Sequence, residues 1–235
     1  MRRTMMGAAI ALGLALAMPA VATAQRPLRF AESDLFIEIN ATDGDAGLQM
    51  QLGGRTWQRL RLIDPRGRTV MNVRADGPLD GYGLTDMGFE SAEPPFTRFP
   101  FPRFRARFPE GRYRFLANAP NGRRIVGSDR LTHVVPAGPR VLVPAEDAVV
   151  DPAAFVVRWD HVTSPAGIRI VRYQVIVSAE GPPGGSMQLT LPGNATSAAI
   201  PSGFLVRNAE YAVEVIARAE SHNQTITEVP FRVAP

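Results

Sequence analysis

Residues 171–177, Val-Arg-Tyr-Gln-Val-Ile-Val, decide the fold of this chain. Tyr173 and Val175 stand two residues apart, which places both side chains on one face of an extended segment. Alternation of this kind, in a run of β-branched and aromatic residues, predicts a half-buried strand.

The same alternation recurs in short runs earlier in the chain, at residues 35–39, 48–52 and 60–62. Asp64-Pro65-Arg66-Gly67 then predicts a turn, because Pro presets φ and Gly accepts the tight return to a strand at residues 70–73. No stretch after residue 25 shows a sustained helical period, and the 21 Gly and 21 Pro interrupt most candidates. The fold class is therefore predicted to be all-β, with later strands at residues 104–108, 112–117, 123–126 and 131–135.

A short segment rich in Pro and Gly, Val135-Pro136-Ala137-Gly138-Pro139, divides the chain. Linkers this short and stiff usually join sandwich modules end to end. We expect a first domain over residues 25–135, a linker over residues 136–139 and a second domain over residues 140–235. Each domain would hold about 100 residues.

The second domain carries aromatic residues in a characteristic order: Trp159 ends the run Phe-Val-Val-Arg-Trp, Tyr173 follows in the next run, and Tyr211 opens a third. This order resembles that of a fibronectin type III domain. The resemblance implies a β-sandwich in which Trp159 is a core residue of strand B and residues 171–177 form strand C. It also implies that the Tyr211 hydroxyl bonds back to the preceding loop.

The first domain contains part of the same sequence pattern. Phe-Pro-Glu-Gly-Arg-Tyr-Arg-Phe, residues 108–115, places Tyr113 after a turn and at the start of an alternating strand. Tyr113 is a candidate second corner tyrosine, and we expect residues 30–135 to form another sandwich of immunoglobulin-like or related type. The predicted architecture is two tandem immunoglobulin-like or fibronectin type III-like β-sandwiches.

Residues 1–24 have the three parts of a secretory signal peptide. Arg2 and Arg3 form the positive start, residues 7–18 form a short apolar run, and Ala22-Thr23-Ala24 is a cleavage site before Gln25. The apolar run is shorter than the roughly 20 residues that a membrane span needs. We therefore expect cleavage after Ala24, a periplasmic or secreted protein, and no transmembrane span in the mature chain.

Composition excludes several classes of function. The chain has no Cys, so it forms no disulfide and offers no thiol nucleophile, and 45% apolar residues suffice for a packed core. The net charge of +4 is too small, and its Arg residues too scattered, for the basic surface of a nucleic-acid-binding protein. Expected partners are another protein, or a polysaccharide or lipid surface of the cell envelope, and not nucleic acid.

Asp43 and Asp45, in the segment Asn40-Ala41-Thr42-Asp43-Gly44-Asp45, are weak candidates for a calcium site. Calcium needs six to eight oxygen ligands, and two carboxylates do not supply them alone. The alternative is a β-turn in which Asp and Gly satisfy the turn geometry. No other cofactor is expected.

Phe and Arg are interleaved over residues 94–108, and Phe99, Phe101, Arg103 and Arg105 are weak candidates for binding an anionic envelope surface. The alternative is ordinary packing, with Phe inside and Arg outside on an edge strand. The segment ends a long connection, residues 74–103, and long loops are often functional.

Motifs for catalysis are lacking. His133, His161 and His222 stand apart in the sequence with no metal-ligand spacing, and there is no G-x-S-x-G or H-E-x-x-H motif. The sequons at Asn40, Asn194 and Asn223 are expected to mark only exposed turns. We predict an exported, non-enzymatic binding or spacer protein. The alternatives are an envelope- or carbohydrate-binding accessory protein that uses residues 94–108, with or without calcium at residues 40–47, and a hydrolase with its site in residues 74–103.

Overall fold

The computed structural model describes residues 25–182 and 184–235, so the predicted signal peptide lies outside the described residues. The described chain is dominated by strands, which confirms the all-β prediction. Its first module contains one α-helix and eight strands: β1 (Leu28–Arg29), β2 (Glu32–Asn40), β3 (Asp45–Gly53), β4 (Arg59–Ile63), β5 (Thr69–Arg74), β6 (Met87–Glu90), α1 (Phe101–Arg107), β7 (Gly111–Asn118) and β8 (Arg124–Leu131).

These strands form two packed sheets. One has the order β1-β8-β7-β4-β5, and the other places β2 beside β3 and β3 beside β6. The predicted hairpin around Pro65 is present as the antiparallel pair β4 and β5. Between the sheets lies an apolar core that includes Trp57, Leu60 and Phe115, all fully buried.

The second module contains the strands β9 (Val141–Val143), β10 (Ala148–Val150), β11 (Val156–Trp159), β12 (Ile170–Ala179), β13 (Ser186–Pro192), β14 (Ser197–Ala199), β15 (Glu210–Ala219) and β16 (Gln224–Val233). One sheet has the order β14-β11-β9, and the other has the order β13-β12-β15-β16. This is the division of strands expected of a fibronectin type III sandwich. The first module divides its strands in the same way, with β2, β3 and β6 facing the sheet of β4, β5, β7 and β8.

The aromatic residues of the second module lie where the resemblance placed them. Trp159 is 1% exposed, and its ring lies 5.3 Å from that of Tyr173. The Tyr211 hydroxyl accepts from the Val206 amide at 3.2 Å and donates to the Phe204 carbonyl at 3.4 Å. In the first module the Tyr113 hydroxyl donates to the Pro109 carbonyl at 3.1 Å, so each module contains a tyrosine bonded back to the preceding loop.

The two modules share a continuous sheet. Strand β16 pairs in parallel with β2, residues 224–226 with residues 38–40, and gives the order β13-β12-β15-β16-β2-β3-β6. The same edge of β16 pairs with β10 at residues 231–233. The modules therefore lie side by side at this edge, whereas the linker had suggested an end-to-end arrangement.

Secondary structure differs from the prediction in three places. Residues 101–107 form a helix and not a strand, because Phe101, Phe104 and Phe108 are spaced by three and four residues and pack on one face. Strand β8 ends at Leu131, where residues 132–135 leave the sheet. The connection at residues 74–103 is partly regular, since it contains a short 3₁₀ helix, Gly77–Leu79, and β6.

Candidate functional site

A groove of about 550 Å³ crosses the boundary between the modules on the outer face of the continuous sheet. Both modules line it. The first contributes Glu32, Asp34, Phe36, Gln49 and Gln51, and the second contributes Val171, Arg172, Gln174, Arg218, His222 and Gln224. We call this the junction groove.

Strand periodicity places these side chains together. Glu32, Asp34 and Phe36 alternate along β2, so all three point away from the core of the first module. Arg172 and Gln174 alternate in the same way along β12, on the face opposite the buried Tyr173. The parallel pairing of β2 with β16 brings the two outer faces into one surface.

Arg218 forms the floor of the junction groove and contacts both modules. Its guanidinium carbon lies 4.5 Å from the centroid of the Phe36 ring, and its Nη2 lies 3.5 Å from Asp34 Oδ2. Burial lowers the pKa of Arg218, with Arg172 adding to the effect, although Arg remains charged at physiological pH. A cation stacked on an aromatic ring and paired with a carboxylate fixes the base of the groove.

Asn223 joins the modules beneath the groove, and it is 0% exposed. Its Oδ1 accepts from the Ile37 amide at 2.8 Å, and its Nδ2 donates to the carbonyls of Thr132 and Val134 at 2.9 and 2.8 Å. The interpretation of this sequon as an exposed turn is therefore wrong at Asn223. Thr225 adds a further buried bond across the junction, from its hydroxyl to the Pro136 carbonyl at 2.6 Å.

His222 lies between two carboxylates of the first module. Its Nδ1 is 3.3 Å from Asp34 Oδ2 and 3.6 Å from Asp129 Oδ2, yet the atom is buried and has no partner in hydrogen-bond geometry. The contact with Asp129 raises the pKa of His222 despite partial burial. The three residues come from β2, β8 and the turn before β16, so sequence spacing gave no sign of the group.

A second acidic group lies on the same sheet face, where Glu38, Glu90 and Glu93 each offer an oxygen within 4.8 Å of the others. Burial, and then the charges of Glu38, Glu90 and Asp45, raise the pKa of Glu93 to about 7. The Glu93 carboxylate lies over Gly47, where a Cβ would meet its Oε1 at 1.9 Å.

The two calcium candidates occupy different surroundings. The Asn40 side chain donates to Asp43 Oδ2 at 2.9 Å and accepts from the amides of Thr42 and Asp43, which is the hydrogen bonding of a tight turn. Asp45 begins β3, and burial, with Asp43 next, raises its pKa. Asp45 thus lies near the acidic group of Glu38, Glu90 and Glu93, whereas the hydrogen bonds of Asp43 are those of the turn.

The Phe and Arg segment packs on the first module. Phe104 is buried, while Phe99 and Phe101 are partly buried against the same core. Arg103 lies 5.1 Å from the centroid of the Phe99 ring, and Arg105 lies 5.6 Å from that of Phe101. The structure thus places Phe101, Arg103 and Arg105 on α1 and Phe99 in the turn before it, with the aromatic rings packed on the module and the arginines lying over them.

A cleft of about 530 Å³ lies on the opposite sheet of the first module. It is lined by Arg59, Arg61 and Arg124 together with Asn72 and Asn118, and we call it the arginine cleft. Arg59 and Arg61 come from β4 and Arg124 comes from β8, two strands that β7 separates, so sequence spacing does not predict the cleft.

His133 lies outside both depressions. Its Nε2 is 2.7 Å from the Phe108 carbonyl, and its backbone amide donates to Glu110. These contacts fasten the end of the first module to the turn before β7. These contacts give His133 a role in holding the fold. Residues 74–103, the connection considered as a hydrolase site, contribute no lining residue to the junction groove.

No protein-family model matches the chain, and no curated protein matches it. Among solved structures, the FN1–FN3 domains of chicken CNTN1 match with a TM-score of 0.36 and 12% identity. That match covers 88% of this chain, which spans 65% of the matched structure. The fibronectin type III domain of human collagen α-1(XX) matches with a TM-score of 0.31 and 19% identity, over 42% of this chain and 83% of the domain. A myokine structure matches with a TM-score of 0.32 and 18% identity, and the match covers 44% of this chain and 100% of the myokine chain.

The second module itself has the three-plus-four strand division and the buried Trp159, Tyr173 and Tyr211 that the resemblance to fibronectin type III domains implies. Within residues 25–182 and 184–235, no helix is long and apolar enough to cross a membrane.

Proposed function

We propose that this chain is an exported, non-enzymatic binding protein whose junction groove holds a polar chain, such as an envelope polysaccharide. The observation that carries the proposal is a set of buried polar atoms at the groove that have no hydrogen-bond partner among the described residues. They are Arg172 Nε and Gln224 Oε1. Buried polar atoms are normally paired, because an unpaired one costs about 1–3 kcal/mol, so a ligand rich in hydroxyl groups would supply the missing partners.

The composition of the groove supports a saccharide over an apolar ligand. Its four amide side chains, Gln49, Gln51, Gln174 and Gln224, offer donors and acceptors together, which suits hydroxyl groups that do both. Phe36 is covered by Arg218 and is 3% exposed, so it presents little apolar surface. A rigid junction suits this role, because both modules must hold their relative position for one ligand to contact both.

A spacer role is the second candidate, and the shared sheet favours it. Strand pairing and the buried bonds of Asn223 fix the two modules side by side, as a spacer of defined geometry requires. The binding proposal expects mutations inside the junction groove to weaken binding of a ligand, whereas the spacer proposal expects them to have no effect on binding.

The binding proposal is tested on an array of bacterial envelope oligosaccharides and polysaccharides, with the mature chain beginning at Gln25. We expect binding that falls at least tenfold in the double variant Arg172→Ala, Gln174→Ala. The matched control removes polar side chains of the arginine cleft, Arg61→Ala with Arg124→Ala, and should leave binding unchanged. Loss of binding in the control alone, or hydrolysis of a bound glycan, would contradict the proposal, and no binding to any glycan would favour the spacer.

Export is tested separately by mass spectrometry of the protein from periplasmic and culture fractions. An N-terminus at Gln25 is the expected result. Intact Met1 in the cytoplasmic fraction would overturn both export and an envelope ligand.

A further inference from the structure

We propose that Asp34, Asp129 and His222 form a site for one divalent transition-metal ion of the zinc type, which ties the two modules together. Asp34 comes from β2 and Asp129 from β8 of the first module, and His222 precedes β16 of the second. The proposal does not depend on a ligand in the junction groove.

The ligand atoms already have the spacing of a metal site. Zinc holds nitrogen and carboxylate oxygen at about 2.1 Å, so the edges of its coordination tetrahedron are about 3.4 Å long. The distances from His222 Nδ1 to Asp34 Oδ2 and Asp129 Oδ2 are 3.3 and 3.6 Å. All three ligand atoms lie within 4.8 Å of one another, so an ion between them needs only small side-chain adjustments.

A second observation points to a ligand at this place. His222 Nδ1 is buried but has no hydrogen-bond partner in the described chain, although it faces two carboxylates. When the imidazole is neutral and its proton is on Nε2, the Nδ1 lone pair is directed at the point between the two carboxylate oxygens, where a zinc-type ion would sit. An ion that prefers only oxygen would gain little from the histidine.

Neighbouring groups orient the ligands. Asp129 Oδ2 accepts from the Leu35 amide at 2.8 Å, and Asp129 Oδ1 accepts from the Arg130 amide at 2.7 Å, so the carboxylate is held by the backbone. Outer partners of this kind fix ligands for metal binding. The backbone of His222 has φ +69°, and this turn conformation is itself held by the bond from its amide to the Ala219 carbonyl at 3.0 Å.

Charge and access agree with a bound cation. Arg218 compensates one carboxylate, so with a neutral imidazole the group retains one uncompensated negative charge. Asp34 and His222 also line the junction groove, and their side chains are 24% and 34% exposed. An ion can therefore enter from the groove, and three protein ligands leave a fourth position open on that side.

Zinc titration of the metal-free mature chain, followed by calorimetry and by thermal melting, tests the proposal. We expect one Zn²⁺ per chain and a higher melting temperature in its presence. Affinity should fall at least tenfold in His222→Ala and in Asp129→Asn. His161→Ala, which removes an exposed histidine outside the group, is the matched control and should bind like the parent.

Two further measurements keep the test decisive if a variant folds poorly. The parent loaded with Co²⁺ should show the visible absorption of a low-coordinate site with nitrogen and oxygen ligands, and Ca²⁺ should not compete with Zn²⁺ for it. Absence of stoichiometric Zn²⁺ binding to the parent would overturn the proposal. So would Zn²⁺ binding that persists in folded His222→Ala, or that is lost in His161→Ala.

Discussion

Replacing Asn223 with Ala should loosen the junction between the modules more than any change of comparable size on the surface. The substitution removes three buried hydrogen bonds and leaves the amide of Ile37 without an acceptor. Each bond contributes about 1 kcal/mol, and the unpaired amide adds to the cost, so we expect a loss of at least about 3 kcal/mol. For a chain of this size that corresponds to a fall in Tm of roughly 6–12 °C.

Urea unfolding of the mature chain, monitored by circular dichroism, measures this change directly. Asn194→Ala is the matched control, because Asn194 is an exposed asparagine in the same Asn-Ala/Gln-Thr context, and it should change stability by less than about 0.5 kcal/mol. Asn223→Asp separates the two halves of the interaction, since it keeps the acceptor for Ile37 and loses the donor. If Asn223→Ala left stability within about 0.5 kcal/mol of the parent, the junction would not depend on the buried amide and the reasoning would be wrong.

Three further predictions concern other parts of the chain. The pKa of Glu93 is raised from 4.5 to about 7, so the protonated carboxyl is favoured in the folded chain. The contribution of Glu93 to the free energy of unfolding should therefore be fully present below pH 4.5 and be lost as the pH rises through 7. Glu93→Gln should therefore stabilise the chain at pH 8 by about 1–2 kcal/mol, after discounting for solvent screening, and have little effect at pH 4.5. Tyr211→Phe should destabilise the second module by about 1 kcal/mol in denaturant melts, because it removes the hydroxyl that bonds to the Val206 amide and the Phe204 carbonyl. If Asp43 and Asp45 bind calcium, Ca²⁺ should raise Tm, by about 2.7 kcal/mol of stabilisation at a hundredfold excess over Kd, and Asp43→Asn with Asp45→Asn should abolish that rise.

Each of these predictions has a result that contradicts it. A gain in Glu93→Gln that is the same at pH 4.5 and pH 8, or that is matched by the exposed Glu146→Gln, would remove the electrostatic explanation. An unchanged midpoint in Tyr211→Phe would show that the corner bond contributes nothing. A calcium response that survives the double substitution would place the ion elsewhere, and no response in the parent would leave the segment as a plain turn.

Local patterns predicted most of the strands, because alternation at period two is imposed by burial of one sheet face. The order of Trp159, Tyr173 and Tyr211 predicted the second sandwich through its resemblance to fibronectin type III domains, and all three side chains are buried in the core. The helix at residues 101–107 was missed although its signal was present. Phe101, Phe104 and Phe108 have helical spacing, and the arginines between them were mistaken for the polar half of an alternating strand.

The junction could not be predicted from the sequence in the same way. Glu38 and Gln224 pair in register although 186 residues separate them, and no local pattern encodes a parallel pairing of that separation. One indication was available: the run Asn223-Gln224-Thr225 is polar where a strand begins, and the structure buries all three residues. Their burial depends on the first module, so the sequence of either module alone contained only half of the candidate site.

The occupied edge of β16 has a consequence for how this chain can be cut or recombined. An open strand edge exposes a row of unpaired amides and carbonyls, which recruits other chains into aggregates. Strand β2 covers residues 224–226 of that row on β16, and β10 covers residues 231–233. A second module produced alone would uncover residues 224–226 and expose side chains that are now buried, so it should self-associate where the intact chain stays monodisperse. The two sandwiches are thus not independent modules, because the pairing of β2 with β16 covers a strand edge of each that would otherwise be exposed.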